Sequence, residues 1–447
     1  MSTLDRLREI VKPRSPVPVV EEGTGLQLSE GGGCSRRLDE DYARAALILG
    51  GAVVEHPEGA VIVVEREYRA GMLHGRLPIG DITTVITDGV DALGLMAQAW
   101  PAAAGITRSQ SENRPLLFID LETTGLFGGA GTQAFLIGCA AIDGEALRIR
   151  QFLLPGFEHE RAVLAELKSW AASHAAIVSY NGRTFDVPLV ETRFMFHRLP
   201  CPLEGLPHLD MLHAARRLWR RRPATAGPDP DDESCSLAVL EKHIAGVHRV
   251  GDVPGYEIPS RFFRFVRDGD ARPLEAVLEH NRLDLLSLAA VLARALTLIT
   301  RGPDAAATAQ EAYGLARVYE RSGAHENAEA SLLRTIHFAR RVGVEPEVHA
   351  DALRRLAWLR RRARRLHDAA DAWMELVALP RCAASLRREA TEALAIHHEH
   401  RSKDLHAARQ RALELLTDFD TDPARVRHRI DRLERKLARR AAMLPIY

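Results

Sequence analysis

The stretch Leu116-Leu117-Phe118-Ile119-Asp120-Leu121-Glu122-Thr123-Thr124-Gly125 decides the fold of this chain. An apolar run of strand length ends in Asp120, and Glu122 follows two positions on. Side chains two apart on a strand point to the same face. Asp120 and Glu122 therefore offer paired carboxylates at one spot, and hard divalent cations take oxygen ligands of this kind. Gly125 and the loop Gly128-Gly129-Ala130-Gly131 come next. Alone, Asp-x-Glu is a common pattern that equally describes a solvated strand end. Its meaning depends on further carboxylates at matching places.

Around this stretch, residues 114–300 alternate strand and helix signals. Strands are predicted at Leu116–Ile119, Ala134–Ile142, Leu147–Leu154, Ala176–Tyr180 and His208–Met211. Helices are predicted at Glu158–Ala172, Asp186–His197, His213–Arg221, Ser236–Ala245, Ser260–Arg267 and Pro273–Thr300, with a Pro/Asp/Gly loop at Pro223–Asp232. Three strands followed by alternating helices and strands give an α/β domain with a mixed sheet.

Two later segments extend the acidic pattern. Ser179-Tyr180-Asn181-Gly182-Arg183-Thr184-Phe185-Asp186 closes the fourth strand with an Asn-Gly turn. Asp186 then opens a helix, where its carboxylate can cap that helix or face the strand ends, at which sites of open α/β sheets gather. Further on comes Leu278-Glu279-His280-Asn281-Arg282-Leu283-Asp284. His280 and Asp284 are four apart and share a helical face. Leu278, Leu285, Leu288 and Val291 predict that this face is buried, so both need polar partners: a metal, or each other. Asp210 is a further candidate at the end of the fifth strand, or else the N-cap of the next helix.

Together, Asp-x-Glu-Thr-Thr-Gly, Asn-Gly-x-x-Phe-Asp and His-Asn-x-x-Asp resemble the motifs of DEDD (DnaQ-like) exonucleases of the ribonuclease-H-like superfamily. The glycine loop with Ala134-Phe135-Leu136-Ile137-Gly138, and Asp210-Met211-Leu212-His213-Ala214-Ala215-Arg216-Arg217-Leu218-Trp219, are similar to the YprB-type ribonuclease-H-like domain. The resemblance covers residues 110–300. It implies a 3′–5′ exonuclease of single-stranded DNA or RNA ends. Asp120, Glu122, Asp186 and Asp284 would hold two divalent cations, Mg²⁺ or Mn²⁺. One cation would generate a hydroxide from water, and the other would stabilise the leaving 3′-oxygen. His280 would be the general base, since histidine titrates near neutrality. One departure stands out: histidine-type members place the His five residues before the last Asp, and His280 is four before Asp284, the spacing of the tyrosine-type branch.

Other residues near these motifs offer substrate contacts. Thr123, Gly125, Tyr180 and Asn181 lie beside the carboxylates. Tyr180, Phe185 and Phe127 can stack on a terminal base or pack in the core. Arg216, Arg217, Arg220, Arg221 and Arg222 can meet phosphates or simply solvate a helix end.

The chain has 447 residues, enough for two or three domains. Residues 1–36 read as a flexible leader, 37–110 as a small β-containing segment, 111–300 as the ribonuclease-H-like domain and 305–447 as an all-α domain. Within 37–110, Ala45–Val54 and Gly59–Tyr68 flank His56-Pro57-Glu58-Gly59 and suggest a hairpin. In 305–447 a pattern recurs at Ala316–Ala330, Ala357–Ala372 and Ala395–Arg409, a period of roughly 40 that suits stacked helical hairpins. It resembles a tetratricopeptide array, a surface for a protein or peptide partner, although a plain helical bundle also fits.

Lys+Arg and Asp+Glu are both 60, so net charge gives no sign of a nucleic-acid partner. Residues 301–447 nevertheless hold 28 Lys/Arg against 21 Asp/Glu, a basic tail that could help hold nucleic acid or merely solvate helices. The five cysteines show no zinc spacing. They fit reduced thiols, hence a cytoplasmic setting. No apolar run of about 18 residues appears, and no membrane span is expected. An alternative of another class remains: a catalytically weak, nuclease-like scaffold that binds nucleic acid while its repeats bind a protein.

Overall fold

The computed structural model describes residues 32–96, 114–125, 131–220, 235–342, 346–416 and 422–442. Phe127, Arg221, Arg222, the Pro223–Asp232 loop and most of the expected leader lie outside them. The chain divides into Met1–Tyr42 and Ala43–Tyr447, and the description below concerns the larger unit.

Its centre is a seven-stranded mixed sheet in the order β1-β2-β7-β6-β5-β8-β9. The strands are β1 (Ala52–His56), β2 (Gly59–Tyr68), β5 (Leu116–Thr123), β6 (Ala134–Asp143), β7 (Ala146–Leu153), β8 (Ala176–Ser179) and β9 (His208–Asp210); β3 (Leu73–His74) and β4 (Leu77–Pro78) pair apart from it. β5, β6 and β7 form an antiparallel meander, and β8 and β9 join β5 in parallel. Gly144, at φ 61°, turns β6 into β7 in a conformation that side-chain-bearing residues rarely adopt. Within the predicted α/β domain, the strands and helices stand within a few residues of their sequence-based positions.

The N-terminal segment differs from expectation. Ala45–Leu49 is helical, part of α1 (Gly32–Leu49), and the hairpin turns at Pro57-Glu58. β2 pairs with β7 from Ile62↔Leu153 to Tyr68↔Leu147, so the hairpin extends the same sheet. An apolar run with Ala-Ala-Leu-Ile-Leu carries either period, and tertiary packing decided for the helix. The helix α2 (Ile79–Gly89) was not foreseen; Ile79, Ile82 and Ile86 put one of its faces in the core.

Alternation on β5 builds both layers. Leu116 and Phe118 point to one apolar cluster, Leu117, Ile119 and Leu121 to the other. α3 (Leu93–Met96), α4 (Glu160–Ala171), α5 (Asp186–Phe196), α6 (Met211–Leu218), α7 (Leu237–Ile244) and α8 (Ile258–Asp268) flank the sheet. α9 (Arg272–Arg301) spans both clusters, with Leu274, Val277 and Leu278 in one and Leu285 to Ile299 in the other. By length and composition α9 could cross a membrane, but 72% of its apolar window is buried within the protein, as in a core helix.

Among the described residues seven α-helices follow: α10 (Ala309–Ser322), α11 (His325–Val342), α12 (Pro346–Arg362), α13 (Leu366–Ala378), α14 (Ala384–His397), α15 (Leu405–Leu416) and α16 (Pro423–Ala442). Each contacts the next, and α10 touches α12 as α12 touches α14. The recurring alanines fill these contacts: Ala316, Ala328, Ala357, Ala369, Ala395 and Ala408 are buried. Across residues 300–305 the core is continuous, since one cluster holds Val178, Leu292, Ala316, Leu356 and Leu394.

Candidate active site

Asp120 and Glu122 stand on the exit half of β5, on the face that carries Phe118. Asp120 pairs with Gly138 of β6, and a register shift follows between Glu122 and Thr123. The absence of a side chain at Gly138 has a purpose. A Cβ there would lie 2.6 Å from Asn281 Nδ2. Asn281, wholly buried on α9, uses that gap to reach the strand. Its Nδ2 donates to the Asp120 carbonyl at 3.1 Å and to Asp120 Oδ2 at 2.8 Å. Its Oδ1 accepts from Gln151 Nε2 at 2.9 Å.

Asp186 begins α5, and no side chain caps that helix at Phe185. The preceding turn is held by Asp210, whose carboxylate accepts from the backbone N–H of Asn181 at 2.8 Å and of Arg183 at 3.1 Å. Asp210 is also the N-cap of α6, accepting from the Leu212 N–H at 3.0 Å. Asn181 takes φ 65°, and the turn aims Asp186 back toward β5.

All four carboxylates lie within electrostatic reach of one another. Burial raises the Asp120 carboxyl well above the usual range, and Asp284, Glu122 and Asp186 raise it further. Glu122 is raised by burial and then by Asp284, Asp186 and Asp252. Asp186 is pushed up to about 7 by burial, Asp210 and Asp284. Burial raises Asp284 too, against the pull of Arg249 and His280. Like charges at close quarters disfavour ionisation, and a cation would relieve them. The donor set is all carboxylate oxygen, which suits Mg²⁺ or Mn²⁺. Among the described residues, however, no group of three or more His, Cys, Asp or Glu stands in metal-holding geometry. The residues fit such an ion in chemical kind.

His280 lies beside Asp284, with Nε2 3.6 Å from Asp284 Oδ2, and its Nδ1 meets Asp252 Oδ1 at 2.6 Å. Asp252 and Arg249 escaped the sequence reading. Both sit in an irregular segment between α7 and α8 with no motif around them. Asn281 lay within a quoted motif without an assigned role.

The remaining candidates are placed as follows. Thr123 Oγ1 donates to the Gly125 carbonyl at 2.8 Å, tying the strand end to its loop. The Tyr180 hydroxyl donates to the Cys235 carbonyl, and its ring packs against the core. Phe185 is exposed. Arg217 Nη1 donates to the Met96 carbonyl at 2.6 Å, so this arginine is engaged within the fold. A cavity of about 790 Å³ opens elsewhere, lined by residues such as Arg76, Trp219, His243 and Arg294, and none of the four carboxylates lines it.

A family model described as RNase_H superfamily matches residues 117–296, which contain every residue of this cluster. A protein of Bacillus subtilis (strain 168), named "Uncharacterized protein YprB", is 30% identical over 380 residues, covering 84% of this chain and 86% of its own length. Among solved structures, a family B DNA polymerase from the hyperthermophilic archaeon Pyrobaculum calidifontis aligns with 46% of this chain and 29% of its own. That likeness, at 13% identity and a TM-score of 0.32, carries no weight. The Bacillus match covers most of the chain, and the superfamily match falls on the carboxylate cluster. The chain belongs to the YprB family, with a nuclease-type ribonuclease-H-superfamily domain at its centre.

Proposed function

We propose that the chain is a divalent-cation-dependent 3′–5′ exonuclease acting on single-stranded DNA or RNA ends. One observation carries the reading: carboxylates from β5, α5 and α9 lie near enough that Asp284 raises the proton affinity of Asp120, Glu122 and Asp186 alike. Such convergence costs folding stability, and stored electrostatic strain of this kind clusters at functional sites. Four carboxylates supply oxygen enough for two cations, Mg²⁺ or Mn²⁺. Bound there, the cations would activate water and stabilise charge on the phosphate.

The chain's own residues have separable tasks. Asn281 fixes the rotamer of Asp120 through its hydrogen bond to Oδ2 and ties α9 to the strand through the Asp120 carbonyl. Asp210 fixes the turn that presents Asp186. Asp252 orients His280 by accepting at Nδ1, which leaves Nε2 on the Asp284 side to take a proton from water. Thr123, Gly125 and Asn181 border the carboxylates and would meet the terminal nucleotide. The α10–α16 array, read as tetratricopeptide-like, would hold a protein or peptide partner, and a cytoplasmic setting suits the unpaired thiols.

The test is an oligonucleotide labelled at its 5′ end, incubated with Mn²⁺ and either wild type or Asp120→Ala. Stepwise shortening from the 3′ end, lost in the variant, is expected. Cleavage that survives in Asp120→Ala sinks the catalytic assignment. A second reading is favoured by the ion pair between Arg249 and Asp284: a scaffold that binds nucleic acid without cutting it. Binding that is unchanged by a chelator, with no cleavage under any divalent cation, would decide for the scaffold.

A further inference from the structure

Arg249 has no part in the functions assigned so far, yet it stands against the carboxylate cluster. Its side chain is 7% exposed. Nε donates to Glu241 Oε1 at 2.7 Å and Nη2 to Glu241 Oε2 at 2.8 Å, a bidentate pair. Nη1 donates to Asp252 Oδ2 at 3.2 Å, and Nη2 also reaches Asp284 Oδ1. The same charge is felt at Glu122, where it opposes the push of the surrounding carboxylates. A guanidinium keeps its proton across the pH range of folded proteins. The cluster thus contains one permanent positive charge of its own.

That charge is anchored. Glu241 is 1% exposed, and its second oxygen also accepts from the Ser287 hydroxyl. Ser287 in turn meets His74 Nε2 at 3.0 Å. Withdrawing Arg249 would strand Glu241 in the core without a counter-charge, which buried pairs resist. A divalent cation seated on Asp284 and Glu122 would have to sit beside this fixed guanidinium. Like charges in a partly dry site repel strongly.

We infer that Arg249 is the resident cation at the Asp284 end of the cluster, so that the chain takes up a divalent cation at one place rather than two. The inference rests on the metal-dependent reading above and narrows its stoichiometry. Arg249 is on this view a positioning residue, which neutralises Asp284 and sets the charge the remaining carboxylates must balance.

The test needs no substrate. Full-length protein is titrated with Mn²⁺, and bound ions per chain are counted from the electron-spin-resonance signal of free Mn²⁺. Wild type is expected to bind one ion, lost in Asp120→Asn. Arg249→Gln combined with Glu241→Gln removes the buried pair as a unit and is expected to bind two, the second lost again on adding Asp284→Asn. Should that variant fail to fold, Arg249→Met with Glu241→Met replaces the buried pair by apolar side chains of similar volume, and the same gain of one ion is expected. Two ions on wild type, one of them lost in Asp284→Asn, overturns the inference and leaves metal dependence standing. An unchanged count of one in the folded Arg249 variants also overturns it. No bound ion on wild type overturns the metal-dependent reading itself.

Discussion

Replacing Gly138 by alanine adds a single methyl group beside Asn281, and its cost can be worked from the contacts. The new Cβ would lie 2.6 Å from Asn281 Nδ2, well inside van der Waals contact. Asn281 has nowhere to retreat, because it is wholly buried and held between Gln151 and Asp120. Overpacking of this kind costs about 1–3 kcal/mol. If the amide is expelled, its bonds to Asp120 are lost as well, at about 1–3 kcal/mol. Relief of glycine's backbone entropy in a strand returns about 0.5–1 kcal/mol. The net expectation is a loss of about 3 kcal/mol. Asn281→Ala should by itself cost about 2 kcal/mol through the lost hydrogen bonds. In that background Gly138→Ala meets no amide and should be nearly free. A double-mutant cycle, measured by guanidinium denaturation with chelator present, is therefore expected to give a coupling of about 2–3 kcal/mol. Additive effects would show that Gly138 and Asn281 do not oppose each other, and the account of how Asp120 is held would fall.

Further expectations concern charge. Because the Asp186 pKa is raised to about 7, its carboxyl favours the folded state fully only below its unfolded pKa, near 3.9, and that benefit is lost as pH rises to 7. Asp186→Asn should then stabilise the cation-free protein at pH 8, on the order of 2 kcal/mol, and barely at pH 4; melting curves that show no such pH dependence refute the raised value. Mn²⁺ at 100 times its dissociation constant should add about 2.7 kcal/mol to wild-type stability and nothing to Asp120→Ala, measured by thermal melting. His280→Gln should lower the cleavage rate by about 10²–10⁴ with the melting temperature nearly unchanged, and retention of rate would remove His280 as the base. Away from the site, Glu160 is buried and accepts from Arg193 Nε at 2.6 Å and Gln133 Nε2 at 3.0 Å, with His197 Nε2 at 2.7 Å. Glu160→Gln should cost about 3–5 kcal/mol without changing cation binding, and a loss below 1 kcal/mol would contradict its structural role.

Much of this arrangement was legible because it follows from periodicity. The run Leu116–Ile119 with carboxylates two apart fixes a strand and its functional face in one reading. The alternating elements after it could be ordered by length and turn chemistry alone. Ala45–Leu49 was not legible, since a short apolar run satisfies a helix and a strand equally, and only its packing against Ile62 and Leu153 in one core settles it. Within the site, Asp120, Glu122, Asp186, His280 and Asp284 stood in motifs, each at the end of an element or on a helical face. Arg249 and Asp252 lie in irregular chain, where position is set by tertiary contacts and leaves no local pattern. Tyr180, read as able to stack on a base or to pack in the core, has its hydroxyl on the Cys235 carbonyl and its ring against the core.

The thirty-residue helix α9 carries Asp284 near its middle and enters the helical array at its far end. From Asp284 to Arg301 the rise is roughly 25 Å at 1.5 Å per residue. Pro273, in its first turn, is the one proline in it, so the shaft has no built-in hinge between those points. Mechanically it is a lever. A tilt of about 2° at the array end displaces the other end by roughly 1 Å, and a misplacement of that size can cost about 10²-fold in rate. Whatever grips α10–α16 therefore holds a handle on the placement of Asp284.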